Sequence, residues 1–122
     1  MTSKMTFSKE SVFLKKALMT FSKGSTRLFR NNVGLFQTKD GRKVMTGLCK
    51  GSSDIIGWTE VEIKPHMIGK KVAVFTAIET KAAKGKPTKE QINFVEKVKE
   101  AGGLATVAYT LEDIKKTLDL LT

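Results

Sequence analysis

The spacing of apolar residues along the chain predicts a first amphipathic helix. Leu14, Leu18 and Phe21 recur at helical spacing, so their side chains share one face. Ser8 has the residue type and position of an N-cap, and Lys23-Gly24 provides a stop just after the last apolar position. We therefore expect a helix that runs from Ser8 to about Phe21.

Short extended segments follow this helix. Residues 26–29 and 33–37 have the pattern of short strands, and Asp40-Gly41 predicts a turn before another extended piece. The polar run Arg30-Asn31-Asn32 lies between the first two strands. It has two interpretations, a turn of the chain or a contact with phosphates, and the pattern favours neither.

Two further extended segments carry charged residues at their ends. Segment 54–63 begins with Asp54, and segment 71–81, which is rich in β-branched and aromatic residues, ends with Glu79 and Lys81. Side chains alternate along a strand, so Glu79 and Lys81 share one face, where a charged pair is costly without a compensating group such as a divalent metal. We expect the two segments to form an antiparallel hairpin that brings Asp54 near Glu79.

The last third of the chain predicts a helix and a strand. Thr88 and Gln91 have the spacing of a capping box, and Gly102-Gly103 stops the helix near Ala101. Its apolar stripe consists of Ile92, Val95 and Val98. Residues 104–109 then have the pattern of a strand.

A final helix follows this strand. Thr110 and Asp113 have capping spacing. The apolar positions expected on its buried side are Leu111, Ile114, Leu118 and Leu121. The predicted order is thus helix, several antiparallel strands, helix, strand, helix.

The composition favours an anionic partner. The 122 residues contain 22 Lys and Arg against 12 Asp and Glu. The net charge of +10 favours nucleic acid or an acidic surface as the partner, with simple solubility as the alternative. One domain over residues 1–122 fits this length and the 40% apolar content. Cys49 is the one cysteine, so no disulfide forms within the chain. With no bilayer-spanning stretch or secretion signal, we expect a soluble, intracellular protein.

Other polar residues are candidates for metal binding or for contact with a nucleic acid. Glu10 lies one turn before Leu14 on the same stripe. It is either a first-turn acid that the helix dipole stabilises or an extra metal ligand. The candidates for contact with the phosphates of a nucleic acid, for which a solvated surface is the alternative, are Arg27, Arg30, Asn31, Arg42, Lys43, Lys84 and Lys86.

The order of the motifs resembles a nuclease family. The motifs that carry the resemblance are Gly51-Ser52-Ser53-Asp54, Glu79-Thr80-Lys81, Gly85, Gln91, Phe94 and Gly102-Gly103. In this order they are similar to the viral-type replication-repair nuclease domain (VRR-NUC), a branch of the PD-(D/E)xK nucleases. The resemblance extends from Glu10 to Leu118. It implies an α/β fold with a restriction-endonuclease-like core, a mixed β-sheet flanked by helices.

The resemblance also implies a site for Mg²⁺ or Mn²⁺. Asp54 and Glu79 match the acids that hold the catalytic metal, and the carbonyl of Thr80 is a further ligand. Glu10 matches the acid on the family's first helix, which favours its role as a metal ligand. These hard oxygen donors suit either ion.

The remaining site residues follow from the same resemblance. Lys81 matches the motif lysine, which either activates the attacking water or stabilises charge on the scissile phosphate. Gln91 matches the glutamine that faces the site from the following helix, so it is expected to serve as both cap and site residue. Ser53 stands where the superfamily name has proline, a position that supplies no chemistry.

The resemblance further implies DNA as the substrate. Standalone members resemble Holliday-junction resolvases, and a homodimer would place two active sites against a two-fold branched junction. We therefore predict a structure-selective endonuclease for four-way junctions, in the cytoplasm of a bacterial or phage-infected host. The alternatives are a less selective nicking or flap endonuclease and a binding module without catalysis.

Overall fold

The computed structural model describes residues 9–122, so the predicted cap Ser8 lies outside the described part of the chain. The helices are α1 (Lys9–Phe21), α2 (Lys89–Glu100) and α3 (Leu111–Leu118). The strands are β1 (Thr26–Arg30), β2 (Gly34–Gln37), β3 (Lys43–Thr46), β4 (Ile55–Thr59), β5 (Thr76–Thr80) and β6 (Leu104–Ala108). Helices together with antiparallel and parallel strand pairs confirm the α/β class. The chain divides into two compact units, Met1–Thr59 and Glu60–Thr122.

The first unit contains α1 and two antiparallel strand pairs. β1 pairs with β4, with Leu28 opposite Gly57 and Arg30 opposite Ile55. The end of α1 is joined to β1 because the backbone N–H of Leu28 donates to Ser22 Oγ at 2.9 Å. β2 and β3 form a hairpin, as the turn signal at Asp40-Gly41 predicts.

The second unit is a parallel β5–α2–β6 arrangement followed by α3. Thr76 pairs with Leu104 and Thr80 with Ala108. A helix connects the two strands, as parallel pairing requires. The buried apolar residues, which come from α2 and β6, are Val95, Val98, Leu104, Ala105 and Ala108. This small core joins α2 to β6, with which β5 is paired, and so fixes the elements that carry Glu79 and Gln91.

The predicted hairpin between segments 54–63 and 71–81 is wrong. β4 pairs with β1, and β5 pairs in parallel with β6. The turn residues between the two segments make a short 3₁₀ helix at Pro65–Met67. A sequence pattern identifies an extended segment but not its partner, and here each segment pairs with a strand distant in sequence.

The predicted strand over residues 71–81 is too long. Only β5 (Thr76–Thr80) is regular strand, and the residues before it are mostly exposed. The ladder begins opposite Leu104 because the turn at Gly102-Gly103 precedes β6. The residues before Thr76 therefore have no β6 residue opposite them.

The predicted buried side of the last helix is wrong at three of its four positions, whereas Ile114 is partly buried. Leu111 keeps 85% of its accessible surface, and Leu118 and Leu121 are exposed as well. Thr117 is the buried residue of α3, with its hydroxyl donating to Asp113 O at 3.2 Å. A threonine can face the interior here because its hydroxyl is satisfied by its own helix.

We predict that the cap of α3 makes the second unit's stability depend on acid pH. The backbone N–H of Tyr109 and then the N–H of Thr110 hold the pKa of Asp113 below its ordinary value of 3.8. Because the pKa of Asp113 is lower in the folded state, the ionised cap adds to the stability of the fold above pH 3.8. This added stability is lost as the pH falls through the pKa of Asp113 in the folded state. Thermal unfolding should show Asp113→Asn less stable than the wild type at pH 7, with the difference shrinking below pH 3.8.

Glu112→Gln is the matched control for this prediction. It removes an acid from the same first turn of α3 without removing a capping bond. Its effect on the unfolding temperature should be smaller than that of Asp113→Asn at pH 7. Equal effects of the two variants would mean that the helix dipole, rather than the cap, stabilises this turn.

Candidate active site

Glu79 and Lys81 lie on the same side of the chain at the end of β5. Lys81 Nζ lies 3.7 Å from Glu79 Oε2, and the Glu79 side chain keeps 32% of its accessible surface against 20% for Lys81. This placement follows from the alternation of side chains along a strand, as predicted. Because 3.7 Å is longer than a hydrogen bond, the Glu79 carboxylate is not fully engaged by Lys81 and can accept a further ligand.

β6 fixes the backbone on both sides of this pair. Thr80 lies opposite Ala108, and the backbone N–H of Lys81 donates to Ala108 O at 3.0 Å. The Tyr109 hydroxyl donates to Gly85 O at 2.9 Å. The turn that follows Lys81 is therefore tied to the end of β6, which holds the pair at the carboxyl edge of the parallel strands.

Glu79 shares a cleft with the first turn of α2. This Glu79 cleft has a volume of about 350 Å³ and is lined by Ala77, Ile78, Glu79, Glu90, Gln91, Phe94 and Val95. Gln91 Oε1 accepts the N–H of Thr88 at 2.9 Å, and Thr88 Oγ1 accepts the N–H of Gln91 at 3.1 Å. The predicted capping box is confirmed. It places Gln91 beside the cleft that also contains Glu79.

Glu90 is a cleft residue that the sequence prediction missed. It lines the Glu79 cleft from the first turn of α2, where the helix dipole favours an acid. The signal that points to it is its position next to Gln91, a residue already assigned to the site. The cleft thus contains two carboxylates and one carboxamide, all oxygen-bearing groups.

Asp54 and Glu10 share a second cleft, within the first unit. This Asp54 cleft has a volume of about 190 Å³ and is lined by Glu10, Ser11, Leu14, Arg30, Asn31, Asn32 and Asp54. Glu10 comes from the first turn of α1, and Asp54 immediately precedes β4. The two acids that the sequence assigns to a metal site in this half of the chain are therefore brought to one place.

Asn31 does not have the exposed position expected of a DNA contact. It keeps only 7% of its accessible surface. Its Nδ2 donates to Ser52 Oγ and to Ser53 O, each at 2.8 Å, and its Oδ1 accepts the N–H of Leu48 at 2.8 Å. Both amide N–H donors of Asn31 are thus used inside the protein, and none is left for a phosphate. We therefore correct the prediction that Asn31 contacts DNA.

Most of the chain matches one known domain family. The model of the VRR-NUC domain matches residues 15–111. The chain belongs to the VRR-NUC domain family. VRR-NUC domains are nuclease domains of the PD-(D/E)xK type, so the protein is a nuclease that acts on DNA. No curated protein and no solved structure matches the chain.

The VRR-NUC match contains most of the assigned residues. Asp54, Glu79, Lys81 and Gln91 lie inside residues 15–111, whereas Glu10 precedes the matched segment. The role of Glu10 therefore depends on its place in the Asp54 cleft. Among residues 9–122, no helix is long and apolar enough to cross a membrane.

The basic residues of this VRR-NUC domain differ in their surroundings. Arg42 is paired with Asp40, with Nε 3.0 Å from Oδ2, and hydrogen bonds from Thr38 and then Arg42 lower the pKa of Asp40. Arg27 Nη1 donates to Gly24 O at 2.8 Å, while Arg30 lines the Asp54 cleft. The other exposed candidates are Lys43, Lys84 and Lys86. Arg30 thus lines the same cleft as two of the assigned acids, Glu10 and Asp54.

The donor chemistry of both clefts fits a hard divalent ion. Glu79 is a half-buried carboxylate held 3.7 Å from an amine, and Thr80 occupies the last position of β5 beside it. Asp54 and Glu10 supply carboxylates in the other cleft. Within residues 9–122, no group of three or more His, Cys, Asp or Glu side chains is gathered at one point. Mg²⁺ and Mn²⁺ accept few protein ligands and retain water, so oxygen donors in such small numbers suit them.

Proposed function

We propose that this VRR-NUC protein is a metal-dependent endonuclease that hydrolyses phosphodiester bonds in branched DNA. Asp54, Glu79, the carbonyl of Thr80 and Glu10 are the proposed ligands of Mg²⁺ or Mn²⁺. Lys81 and Gln91 complete the catalytic set. The proposal for the substrate is the four-way junction, cut by a homodimer.

The observation that carries this proposal is the pair of Glu79 and Lys81 at the edge of a cleft. The two charged groups lie 3.7 Å apart, and both side chains are partly buried, so each is partly removed from water. Charged side chains that are partly buried beside a cleft are typical of a binding or catalytic site. The Glu79 cleft also contains Gln91, and both residues of the pair lie within the part of the chain that matches the VRR-NUC domain.

The chemistry follows from the needs of phosphodiester hydrolysis. When bound, the divalent ion lowers the pKa of water and offsets charge on the transferring phosphate. Glu79 and Asp54 are the proposed metal-binding carboxylates, each in the cleft of its own unit. Lys81, on the same side as Glu79, either takes a proton from the attacking water or stabilises the phosphate oxygens.

Gln91 has a narrower role. Its Oε1 is engaged by the N–H of Thr88, so its Nε2 is the group that remains to donate toward a phosphate or a water molecule in the Glu79 cleft. The capping box fixes the side chain in that orientation. We propose that Gln91 orients the reacting groups rather than moving a proton.

We predict that Arg30 contributes more to DNA affinity than a paired surface lysine. Arg30→Ala removes a cation that lines the Asp54 cleft, so it should weaken binding and reduce the slope of log affinity against log salt by about one. Fluorescence anisotropy with a labelled duplex in chelator measures this without cleavage. Lys97→Ala, which removes a lysine paired with Glu100 at 3.5 Å, is the control.

The expected change for the control is small. A surface ion pair contributes about 1 kcal/mol or less, and Lys97 lies outside both clefts. If Arg30→Ala leaves both affinity and salt slope like those of Lys97→Ala, Arg30 does not contact the phosphate backbone.

The choice of a branched substrate is tested by comparing two DNAs of matched sequence. The purified chain is incubated with a labelled four-way junction or a linear duplex, in Mg²⁺, Mn²⁺ or chelator. The proposal predicts paired, metal-dependent cuts in the junction only, and a dimer mass by light scattering. Two-fold symmetry of both partners is the physical reason for paired cuts.

Other outcomes would support the alternative functions. Equal cutting of junction and duplex would retain the nuclease and overturn the selectivity, which favours a nicking or flap endonuclease. Binding by folded protein without cleavage in either metal would favour a DNA-binding module. A monomer mass with single cuts would contradict the homodimer.

A further inference from the structure

The Asp54 loop, residues 48–54, is held by hydrogen bonds from the backbone and the side chain of the buried Asn31. Asn31 follows β1 directly, and its backbone N–H donates to Asp54 O at 2.8 Å, one step beyond the pairing of Arg30 with Ile55. The main chain of Asp54 is thereby attached to the end of the β1–β4 ladder.

The side chain of Asn31 holds the rest of the loop. Its Nδ2 bonds Ser52 Oγ and Ser53 O, and its Oδ1 accepts the N–H of Leu48, all at 2.8 Å. An asparagine is suited to this position because it carries two donors and an acceptor on one short, planar group. Aspartate lacks the donors, and leucine has a similar size but no polar atoms.

Ser52 extends this network within the loop. Its hydroxyl, which accepts from Asn31, also donates to Cys49 O at 2.6 Å. The N–H of Cys49 is 3.3 Å from the same oxygen. The segment from Leu48 to Asp54 is therefore cross-linked at several points by Asn31 and Ser52. Several hydrogen bonds to one short segment restrict its backbone to few conformations.

We infer that Asn31 is a positioning residue for the Asp54 carboxylate. Asp54 itself is exposed at the cleft that also contains Glu10 and Arg30. Among residues 9–122 no hydrogen bond holds its carboxylate, so the direction of this group depends on the backbone of its loop. The inference rests on the proposed role of Asp54 in metal binding. Outer residues that orient metal ligands typically change affinity or activity by about 10–100-fold when they are substituted.

The test measures metal binding without DNA or catalysis. Titration of Mn²⁺ into the protein, with free Mn²⁺ followed by electron paramagnetic resonance, gives the affinity of the wild type, Asn31→Leu and Ser52→Ala. We expect Asn31→Leu to weaken Mn²⁺ binding by about tenfold or more. Ser52→Ala, which leaves the bonds of Asn31 to Ser53 and Leu48, should show a smaller loss in the same direction.

Two controls separate positioning from general destabilisation. Asn93→Leu makes the same change on the exposed surface of α2 and should bind Mn²⁺ like the wild type. Circular dichroism and DNA binding in chelator report whether each variant is folded. If Asn31→Leu fails to fold, Ser52→Ala decides the question.

Asp54→Asn distinguishes failure of this inference from failure of the proposed function. If Asp54→Asn loses Mn²⁺ binding while folded Asn31→Leu and Ser52→Ala bind like the wild type, Asn31 does not position the carboxylate, and the role of Asp54 stands. If Asp54→Asn binds Mn²⁺ normally, the metal assignment of Asp54 fails, and the inference fails with it.

Discussion

Glu79→Gln should abolish DNA cleavage while leaving the protein folded and able to bind DNA. The amide keeps the shape of the side chain but removes the negative charge that holds the metal, so the rate should fall at least about a thousandfold, or ~4 kcal/mol of transition-state stabilisation. The fold should survive because the Glu79 side chain is half-exposed and makes only a 3.7 Å contact with Lys81. Single-turnover cleavage of labelled DNA measures the loss.

Glu96→Gln is the matched control. Glu96 lies on α2, where its carboxylate is paired with Lys99 at 3.8 Å, and it does not line the Glu79 cleft. It removes the same charge from the same unit, so cleavage should be close to wild type. Similar rates for Glu79→Gln and Glu96→Gln would remove Glu79 from the active site.

Gly57→Ala should unfold the β1–β4 pair. A Cβ at Gly57 would overlap the carbonyl oxygen of Arg27 and lie 2.9 Å from both the carbonyl carbon of Arg27 and the Cα of Leu28. These are backbone atoms of the paired strand, so no side-chain rotation relieves the overlap. We expect a loss of about 3 kcal/mol or more in unfolding free energy, measured by urea denaturation.

Gly34→Ala tests whether the effect is specific to this close approach. Gly34 also lies in a strand of the first unit, but its added Cβ would meet the exposed side chain of Phe36 at 3.1 Å. That ring can move, so the cost should be much smaller. If both variants lose the same unfolding free energy, the close backbone approach at Gly57 is not the cause of the loss in Gly57→Ala.

Gly57→Ala should also affect the site. The bond from Asn31 N–H to Asp54 O continues the ladder that the substitution disrupts. Mn²⁺ binding through Asp54 should therefore decline together with stability in this variant, whereas Asn31→Leu should lose binding with less effect on the β1–β4 ladder itself.

Local signals in the sequence predict most of the elements. The capping boxes at Thr88 and Thr110 and the turn at Gly102-Gly103 place α2 and α3 close to their observed bounds, because these signals act within a few residues. The side-by-side arrangement of Glu79 and Lys81 also follows from strand periodicity alone. These features depend on backbone geometry that neighbouring residues determine.

Strand partners could not be predicted in the same way. β4 pairs with β1, and β5 pairs with β6 across a helix, both of which are non-local choices. The hairpin prediction assumed that neighbouring extended segments pair, which holds often but not here. The prediction of the buried side of α3 failed for the same reason, because the element that packs against a helix decides which face is covered.

The sequence proposes candidate site residues but does not reveal the contacts that support them. Asp54, Glu79 and Lys81 follow from acids and an amine at segment ends together with the family resemblance. The position of Asn31 could not be inferred, because a polar residue in a loop has the same pattern whether its amide faces solvent or binds the backbone. Glu90 was missed because a first-turn acid is common in helices.

The most direct test of the central claim is the metal dependence of DNA cleavage. The chain is purified with chelator, and cleavage of labelled DNA is followed as Mg²⁺ or Mn²⁺ is added in excess. We predict no cleavage in chelator and a rate that rises with metal and saturates. Cleavage that persists in chelator, or folded protein that binds DNA but cuts it with neither metal, would contradict the proposed metal-dependent nuclease.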